Sequence, residues 1–260
     1  MIIRISKDIK NFQFSSFPDS DLVHGVFSRH GGVSPQPYFS LNLGGTVGDS
    51  RENVVENRKR IFDFLGRTVE SVFDVWQIHG NRVVKAENPR QLDEKHQQAD
   101  AIITNKKNVT LLMRFADCVP ILLYDPVIKA IGLVHAGWQG TVKRVVQKSV
   151  EMMMSEFGSA PENIIAGIGP SIGKDHYIVG KQVTMQVNKN LPEFESEVLI
   201  ENRGNIFLDL WLTNRLLLEQ SGVRQIEMAG ICTACHIEDW FSYRAEGKQS
   251  GRFGVLIGLK

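Results

Sequence analysis

Two histidines and one cysteine stand where apolar runs of the sequence end. His79 lies just before a glycine, Cys118 shortly after the apolar run 109–115, and His135 directly after the run 131–134. Two imidazoles and one thiolate form a borderline-soft ligand set that suits Zn²⁺, with copper as the other candidate. Three protein ligands would leave a fourth tetrahedral position for water or substrate, an arrangement typical of a catalytic zinc site. These three side chains are therefore candidate ligands of a catalytic metal centre.

The spacing of the three residues does not by itself establish a metal site. The intervals between them match no zinc-finger pattern, because the paired ligands of a finger lie close together in the chain. A buried, unreactive thiol and two separately hydrogen-bonded core histidines would produce the same sequence, and free cysteine is commonly buried. On spacing alone, both interpretations stay open.

Strands and helices must bring these residues together if they are to act at one point. Apolar runs predict neighbouring, largely buried strands over residues 101–104, 109–115, 121–124 and 131–134, and later strands over 226–231 and 253–259. Periodic apolar positions predict helices over about 50–65, 141–157 and 208–220, with Ser50 and Asp209 as caps of the first and third. This mixture indicates an α+β (mixed α/β) fold, expected as a layered α/β/β/α sandwich in a single domain over residues 1–260.

Composition and charge limit the classes of function. The 260 residues carry 30 lysines and arginines against 29 acidic residues, so the net charge of +1 offers no broad field for a nucleic acid polymer or an anionic membrane. Three cysteines are too few for a disulfide framework and favour a reducing compartment. The N-terminus shows no apolar signal segment, and no apolar run is long enough for a membrane span. We expect a cytoplasmic protein, and the sequence leaves its oligomeric state open.

Motifs along nearly the whole chain resemble those of one known family. The central three are WQIHG (76–80), ADCVP (116–120) and VHAGWQG (134–140). The flanking motifs are SRHGGVS (28–34), SLNLG (40–44), VGD (47–49), VENR (55–58), GPSIG (169–173), CT (232–233), FSYR (241–244) and GR (251–252). In this order they closely resemble the bacterial laccase-domain family, formerly known as multicopper polyphenol oxidases. The resemblance implies that His79, Cys118 and His135 are the metal ligands.

The resemblance also implies an activity and the residues around it. Members of the family are described as zinc-dependent purine nucleoside phosphorylases, acting on adenosine, inosine, guanosine or methylthioadenosine with phosphate, and having adenosine deaminase activity at the same site. Asn42 and Gln77 are then expected to hydrogen-bond ribose or base, and Arg58 to hold phosphate through both arms of its guanidinium. Asp117 joins the expected catalytic set as a neighbouring carboxylate. On a strand its side chain would point away from Cys118, so we expect it to support a ligand or to act elsewhere in the site.

Other functions stay open at this stage. Some members of the same family are described as peptidoglycan editing factors, amidases that would remove L-Ser from UDP-MurNAc-L-Ser. A copper-binding polyphenol oxidase would need the H-x-H pairs of a trinuclear centre, and none of the seven histidines forms one, although copper could still occupy the predicted site. A non-enzymatic metal-binding module would have four protein ligands and no pocket.

One further segment matches a cofactor motif by its letters alone. Cys232-Thr-Ala-Cys235-His236 reads as C-x-x-C-H, the motif of covalent haem attachment. Haem attachment requires export, for which the chain shows no signal, and a structural zinc would need a second pair of ligands. We therefore predict a buried or packing role for both cysteines.

Overall fold

Two six-stranded β-sheets form the centre of the computed structural model, which describes residues 2–91 and 93–260. In spatial order the first sheet contains β1 (Ile2–Ser6), β2 (Ile9–Gln13), β3 (Leu22–Phe27), β15 (Phe253–Leu259), β7 (Thr110–Phe115) and β4 (Val72–Asp74). The second contains β14 (Gln225–Met228), β10 (Ile165–Ile168), β8 (Val119–Asp125), β9 (Ala130–Ala136), β6 (Ala101–Thr104) and β5 (Val83–Lys85). A smaller sheet contains β11 (Ile178–Val179), β13 (Asn205–Leu208) and β12 (Leu199–Asn202).

The two large sheets pack face to face, with helices on their outer sides. Met113 of β7 and Val255 of β15 meet Leu122 of β8 and Leu133 of β9 in one buried cluster between the sheets. The helices are α1 (Arg51–Phe64), α2 (Trp138–Val142), α3 (Val145–Phe157), α4 (Lys181–Asn190), α5 (Glu195–Val198), α6 (Leu210–Gln220) and α7 (Tyr243–Glu246). Apolar residues of α1 cover the first sheet, and those of α3 and α6 cover the second. This order of layers confirms the predicted mixed α/β fold.

Two of the predicted helices have their expected caps, and a third is interrupted. Ser50 and Asp209 each accept a hydrogen bond from the backbone amide three residues later, at the starts of α1 and α6. The helix predicted over 141–157 is instead α2 followed by α3, because Arg144 adopts a left-handed φ of 61° between them. The Arg144 guanidinium donates to a Glu193 carboxylate oxygen and stabilises the break. Within the described ranges, no helix has both the length and the apolar character needed to cross a membrane.

The chain passes from one sheet to the other beside Cys118. Although their apolar runs predicted neighbouring strands, β7 lies in the first sheet and β8 in the second. The crossing occupies residues 116–118, where Asp117 has a left-handed φ of 78°. On the next strand, β9, His135 pairs with Pro120 of β8. The crossing therefore places Cys118 next to the end of β9, where His135 lies.

Candidate active site

His79, Cys118 and His135 come together from three separate segments of the chain. One potential ligand atom of each lies within 4.8 Å of the others, and the Cys118 Sγ is 4.0 Å from the His79 Nδ1. The two imidazole rings meet nearly edge to face, with centroids 4.9 Å apart. We call these three residues the cavity cluster.

Asp100, directly before β6, fixes both histidines of the cavity cluster. Its carboxylate accepts hydrogen bonds from the His79 amide (2.9 Å), from the Gly80 amide (2.6 Å) and from the His135 Nδ1 (2.9 Å). Because Nδ1 of His135 faces this carboxylate, its Nε2 is left for the cluster, as in metal sites where a carboxylate orients a ligating imidazole. Burial would raise the pKa of Asp100, but its hydrogen bond to His135 and the charge of that ring hold the pKa below its usual value.

The cavity cluster stabilises a thiolate and a positive charge side by side. Burial would raise the pKa of Cys118, but the charge of His135 and hydrogen bonds to His135 and His79 lower it to about 6. Burial would lower the pKa of His135, whereas the charge of Cys118 and the Asp100 hydrogen bond raise it to about 9. Metal ligation requires a thiolate and a neutral imidazole, so a bound cation would replace a proton on the His135 ring.

Gly137 has no side chain and so leaves space for the cavity cluster. A Cβ built on Gly137 would lie 2.9 Å from the Cys118 Sγ and 3.0 Å from the His79 Nδ1. Its φ of −72° is open to any residue, so the missing side chain, and not backbone strain, distinguishes this position. The donor set, the carboxylate behind His135 and this gap all fit a thiophilic metal ion.

The cavity cluster forms part of the wall of a cavity of about 900 Å³. Cationic side chains also line it, namely Arg58, Arg114, Arg244, Lys248 and Arg252. The aromatic residues of the lining are Trp76, Trp138, Tyr177 and Tyr243. The cavity is as large as typical small-molecule sites and combines a metal-ligand set, positive charge and flat apolar surfaces. Such a lining suits an anionic group together with a planar ring.

Arg58 faces this cavity with unsatisfied hydrogen-bonding capacity. Its Nε is buried without a partner, and across residues 2–91 and 93–260 its nearest ion-pair contact is Asp74 at 3.8 Å, beyond hydrogen-bond distance. Asp74 is fully buried in β4 and accepts instead from Arg90 Nε (2.8 Å) and Arg114 Nη1 (2.8 Å). The carboxylate thus holds a group of guanidiniums without neutralising all of them, which leaves net positive charge at this end of the cavity.

Gln77 and Asn42 lie at different depths relative to the cavity. Gln77 lines the cavity, but both ends of its amide bind the backbone of Arg114, at 2.8 Å and 3.0 Å. Asn42 is fully buried and is not among the lining residues. Its side-chain oxygen accepts from the Gly44 amide (2.9 Å) and the Arg252 amide (2.8 Å), so it holds two parts of the cavity wall from behind.

Asp117 supports the wall next to Cys118 and is itself 8% exposed. The backbone bends here, so the strand alternation assumed from the sequence does not apply. One carboxylate oxygen accepts from the Thr233 hydroxyl (2.7 Å) and the other from the Arg244 amide (2.6 Å). Both oxygens are therefore committed to neighbouring segments of the protein.

Several residues of the site were not predicted from the sequence. Asp100 carried one usable signal, since it immediately precedes the predicted strand 101–104. Trp76 and Tyr243 lay within the motifs WQIHG and FSYR but had no role assigned to them, and Asp74 and Tyr177 carried no signal. Their roles depend on contacts between distant segments, which spacing along the chain does not reveal.

Comparison with known proteins shows the family of the chain. A family model described as multi-copper polyphenol oxidoreductase laccase matches residues 23–260. The chain belongs to this family. Within this laccase family, a protein of Bacillus subtilis named purine nucleoside phosphorylase YlmD is 37% identical over 253 residues, covering 93% of this chain and 90% of that protein. A Deinococcus radiodurans protein named purine nucleoside phosphorylase is 39% identical over 243 residues, covering 93% and 91%.

Solved structures of the laccase family share the fold along the whole chain. The crystal structure of YlmD from Geobacillus stearothermophilus gives a TM-score of 0.92 at 31% identity, covering 99% of this chain and 98% of that one. A Bacillus licheniformis hypothetical protein, YfiH, gives 0.91 at 32% identity, covering 99% of both chains. Family membership and the cavity cluster together indicate a metal-binding protein.

Proposed function

We propose that this protein is a purine nucleoside phosphorylase whose reaction takes place in the cavity beside His79, Cys118 and His135. The observation that carries the proposal is that one cavity unites this ligand set with a group of cationic side chains and several aromatic rings. The names of the bacterial relatives support the same activity. The substrates are a purine nucleoside and inorganic phosphate, and the products are a free purine and ribose 1-phosphate.

The cationic side chains bind and orient the phosphate. Arg58 has a buried Nε without a hydrogen-bond partner among the residues that the structure describes, and Arg114 is held beside it by Asp74. In phosphorolysis, a phosphate oxygen forms a bond to C1′ of the ribose while the bond from C1′ to the purine nitrogen breaks and its electron pair leaves with the base. Guanidiniums fixed before substrate arrives lower the cost of placing the anion against C1′.

Other parts of the wall position the nucleoside. Trp76 is half exposed, and Tyr177 and Tyr243 also present rings to the cavity, so the purine has flat surfaces on which to stack. Gln77 and Asn42 act by holding wall segments, because their amides are engaged by protein groups. Asp117 likewise positions the wall beside Cys118, since both of its oxygens accept hydrogen bonds from the protein.

The residues present fit a zinc ion, which His79, Cys118 and His135 would hold. When bound, zinc would supply Lewis-acid stabilisation of negative charge that develops during the reaction. Asp100 keeps the His135 ring in the orientation that this requires. Copper suits the same donors and is the alternative metal. We further propose an adenosine deaminase side activity at this site and a cytoplasmic location, where reducing conditions would keep the Cys118 thiol free.

The other functions considered gain no specific support. A non-enzymatic module with a closed four-ligand site would not need the open cavity that His79, Cys118 and His135 line. Nothing in the lining selects a muramyl peptide over a nucleoside, and the relatives are named for nucleoside chemistry. Phosphorolysis therefore remains the proposal.

The decisive assay supplies inosine with and without phosphate and measures hypoxanthine and ribose 1-phosphate. We expect product only with phosphate. Cys118→Ala should lower kcat/KM by about 10³-fold or more, because it removes a ligand whose cation contributes several kcal/mol. His236→Ala is the control, an exposed change outside the cavity lining, and should retain activity. Adenosine without phosphate tests deamination to inosine.

Arg58→Gln tests the phosphate site separately. Loss of a charged donor should raise KM for phosphate by about tenfold, with a smaller effect on KM for inosine. Lys59→Gln, an exposed change on the same helix, is the control. Full activity in Cys118→Ala, or turnover of UDP-MurNAc-L-Ser but not of inosine, would overturn the proposed function.

A further inference from the structure

A second group of thiol and imidazole side chains lies outside the cavity lining. His176, Cys232 and Cys235 each offer one potential ligand atom, and these atoms lie within 4.8 Å of one another. His176 ends the short 3₁₀ turn Lys174–His176, and the two cysteines belong to a turn after β14. We call these three residues the outer cluster.

Distances within the outer cluster match those of a tetrahedral zinc site. The His176 Nδ1 is 3.8 Å from the Cys232 Sγ and 3.5 Å from the Cys235 Sγ. In a tetrahedral zinc site the bond to sulfur is about 2.3 Å and the bond to nitrogen about 2.0 Å. The sulfur and nitrogen ligands of one ion are then about 3.5 Å apart. The side chains therefore need only a small adjustment to hold an ion between them.

The backbone next to the outer cluster favours a thiolate at Cys232. The Gly173 amide donates a hydrogen bond to the Cys232 Sγ at 3.2 Å. This sulfur is in a buried residue, whereas Cys235 and His176 are exposed, so the fourth position of an ion would face solvent. An amide N–H directed at sulfur offsets negative charge on the thiolate, which is the form that binds a metal.

The histidine of the outer cluster is not the one in the C-x-x-C-H motif. His236 is not part of it, because its Nδ1 pairs with Glu238 at 3.1 Å. His176 supplies the imidazole instead, from a segment far away in the chain. Cys235 is exposed, so the packing role predicted for both cysteines applies only to Cys232.

We propose that His176, Cys232 and Cys235 form a second metal site, which binds Zn²⁺ with water as the fourth ligand. This site links two turns that support the cavity wall. Thr233, between the two cysteines, donates to Asp117 at 2.7 Å, and Arg244 Nη1 donates to the His176 carbonyl at 3.0 Å. A metal at the outer cluster would hold these two contacts in register, while the chemistry stays in the cavity.

Zinc binding to metal-free, fully reduced protein tests the proposal. We expect about two equivalents per chain for the wild type and about one for either Cys118→Ala or Cys235→Ala, because each variant removes one site. The double variant should bind none tightly. His236→Ala is the matched control and should still bind two. In Cys118→Ala, zinc should raise the melting temperature, and adding Cys235→Ala should abolish that rise.

Cobalt(II) gives an independent readout, since thiolate-to-metal absorption reports sulfur ligands. The Cys118→Ala protein should show the stronger band per metal, because its remaining site has two thiolates against one. Two results would overturn the second site. The wild type could bind a single equivalent of zinc that Cys118→Ala removes, or Cys232 and Cys235 could form a disulfide that persists under reducing conditions. Phosphorolysis is assayed separately, so a failure of the proposed function would leave these metal counts unaffected.

Discussion

The cavity cluster and the outer cluster use the same donor chemistry in opposite surroundings. His79, Cys118 and His135 line a cavity with several cationic side chains, whereas His176 and Cys235 of the outer cluster are exposed outside that lining. One cluster has a single thiol and two imidazoles, and the other has two thiols and one imidazole. Ligand types alone therefore do not assign a catalytic role. The role follows from what else reaches the same space.

The two clusters also differ in how their ligands are held. One carboxylate, that of Asp100, accepts from the ring of His135 and from the backbone amide of His79, so it holds both segments of the cavity cluster in place. In the outer cluster, the Gly173 amide donates to one sulfur. Among the described residues, the hydrogen-bond partners of the exposed His176 ring are the two thiols. Because preorganised ligands lose less freedom on binding, we expect the cavity cluster to bind metal more tightly and more selectively.

Gly137→Ala should have the largest effect on one cluster alone. The new methyl would lie 2.9 Å from the Cys118 Sγ, and φ at this position is not strained, so the change acts by filling space. We expect zinc affinity of the cavity cluster to fall by about 100-fold or more, as for overpacking of about 3 kcal/mol, with a parallel loss of phosphorolysis. The outer cluster should keep its zinc. Metal titration followed by cobalt absorption measures both.

Gly180→Ala is the matched control for this change. A Cβ at Gly180 meets nothing within 4 Å, and its φ of −92° is also unstrained. It should leave both clusters and the activity unchanged. Tight zinc binding in Gly137→Ala would mean that the cavity cluster holds no metal in the space that the glycine leaves.

The difference between the clusters explains how far the sequence could lead. That His79, Cys118 and His135 come together could be predicted, because each lies in one of the motifs 76–80, 116–120 and 134–140, at the end of a likely strand. The helix caps Ser50 and Asp209 were equally local signals and are confirmed. Residues whose role depends on the neighbouring chain are within reach of sequence patterns.

Other features depend on contacts that no local pattern encodes. His176 lies 56 and 59 positions from the cysteines it meets, so C-x-x-C-H indicated the wrong histidine. Asp117 was expected on a strand, but the crossing between the sheets bends the backbone there. Arg144 interrupts a helix whose apolar periodicity looked continuous. In each case a distant contact or a left-handed residue outweighs the local preference.

Asp100→Asn should have an intermediate effect on zinc affinity, because it removes a carboxylate acceptor from the cavity cluster only. The amide would keep the size of the side chain but place a donor where the carboxylate accepts from the backbone amides of residues 78–80 and from His135. We expect zinc affinity of the cavity cluster to fall by about 10- to 100-fold, the usual cost of losing a carboxylate behind a ligating imidazole. Circular dichroism and the melting temperature would separate this effect from unfolding. Equal losses at both clusters would show that Asp100 acts on the whole fold.

Gly173→Ala should have the smallest effect on zinc affinity, and it should act on the outer cluster, whereas Gly137→Ala acts on the cavity cluster. A Cβ there would lie 3.1 Å from the Cys232 Cβ and 3.2 Å from its Sγ, close enough to require a shift of a few tenths of an ångström. With φ at −77° the backbone accepts alanine, so we expect about a fivefold loss of zinc affinity at the outer cluster, near 1 kcal/mol. Phosphorolysis at saturating substrate should persist, because the cavity cluster is untouched. The two glycine variants thus weaken opposite clusters, and a Gly173→Ala protein that loses turnover but keeps both metals would reverse the roles assigned to them.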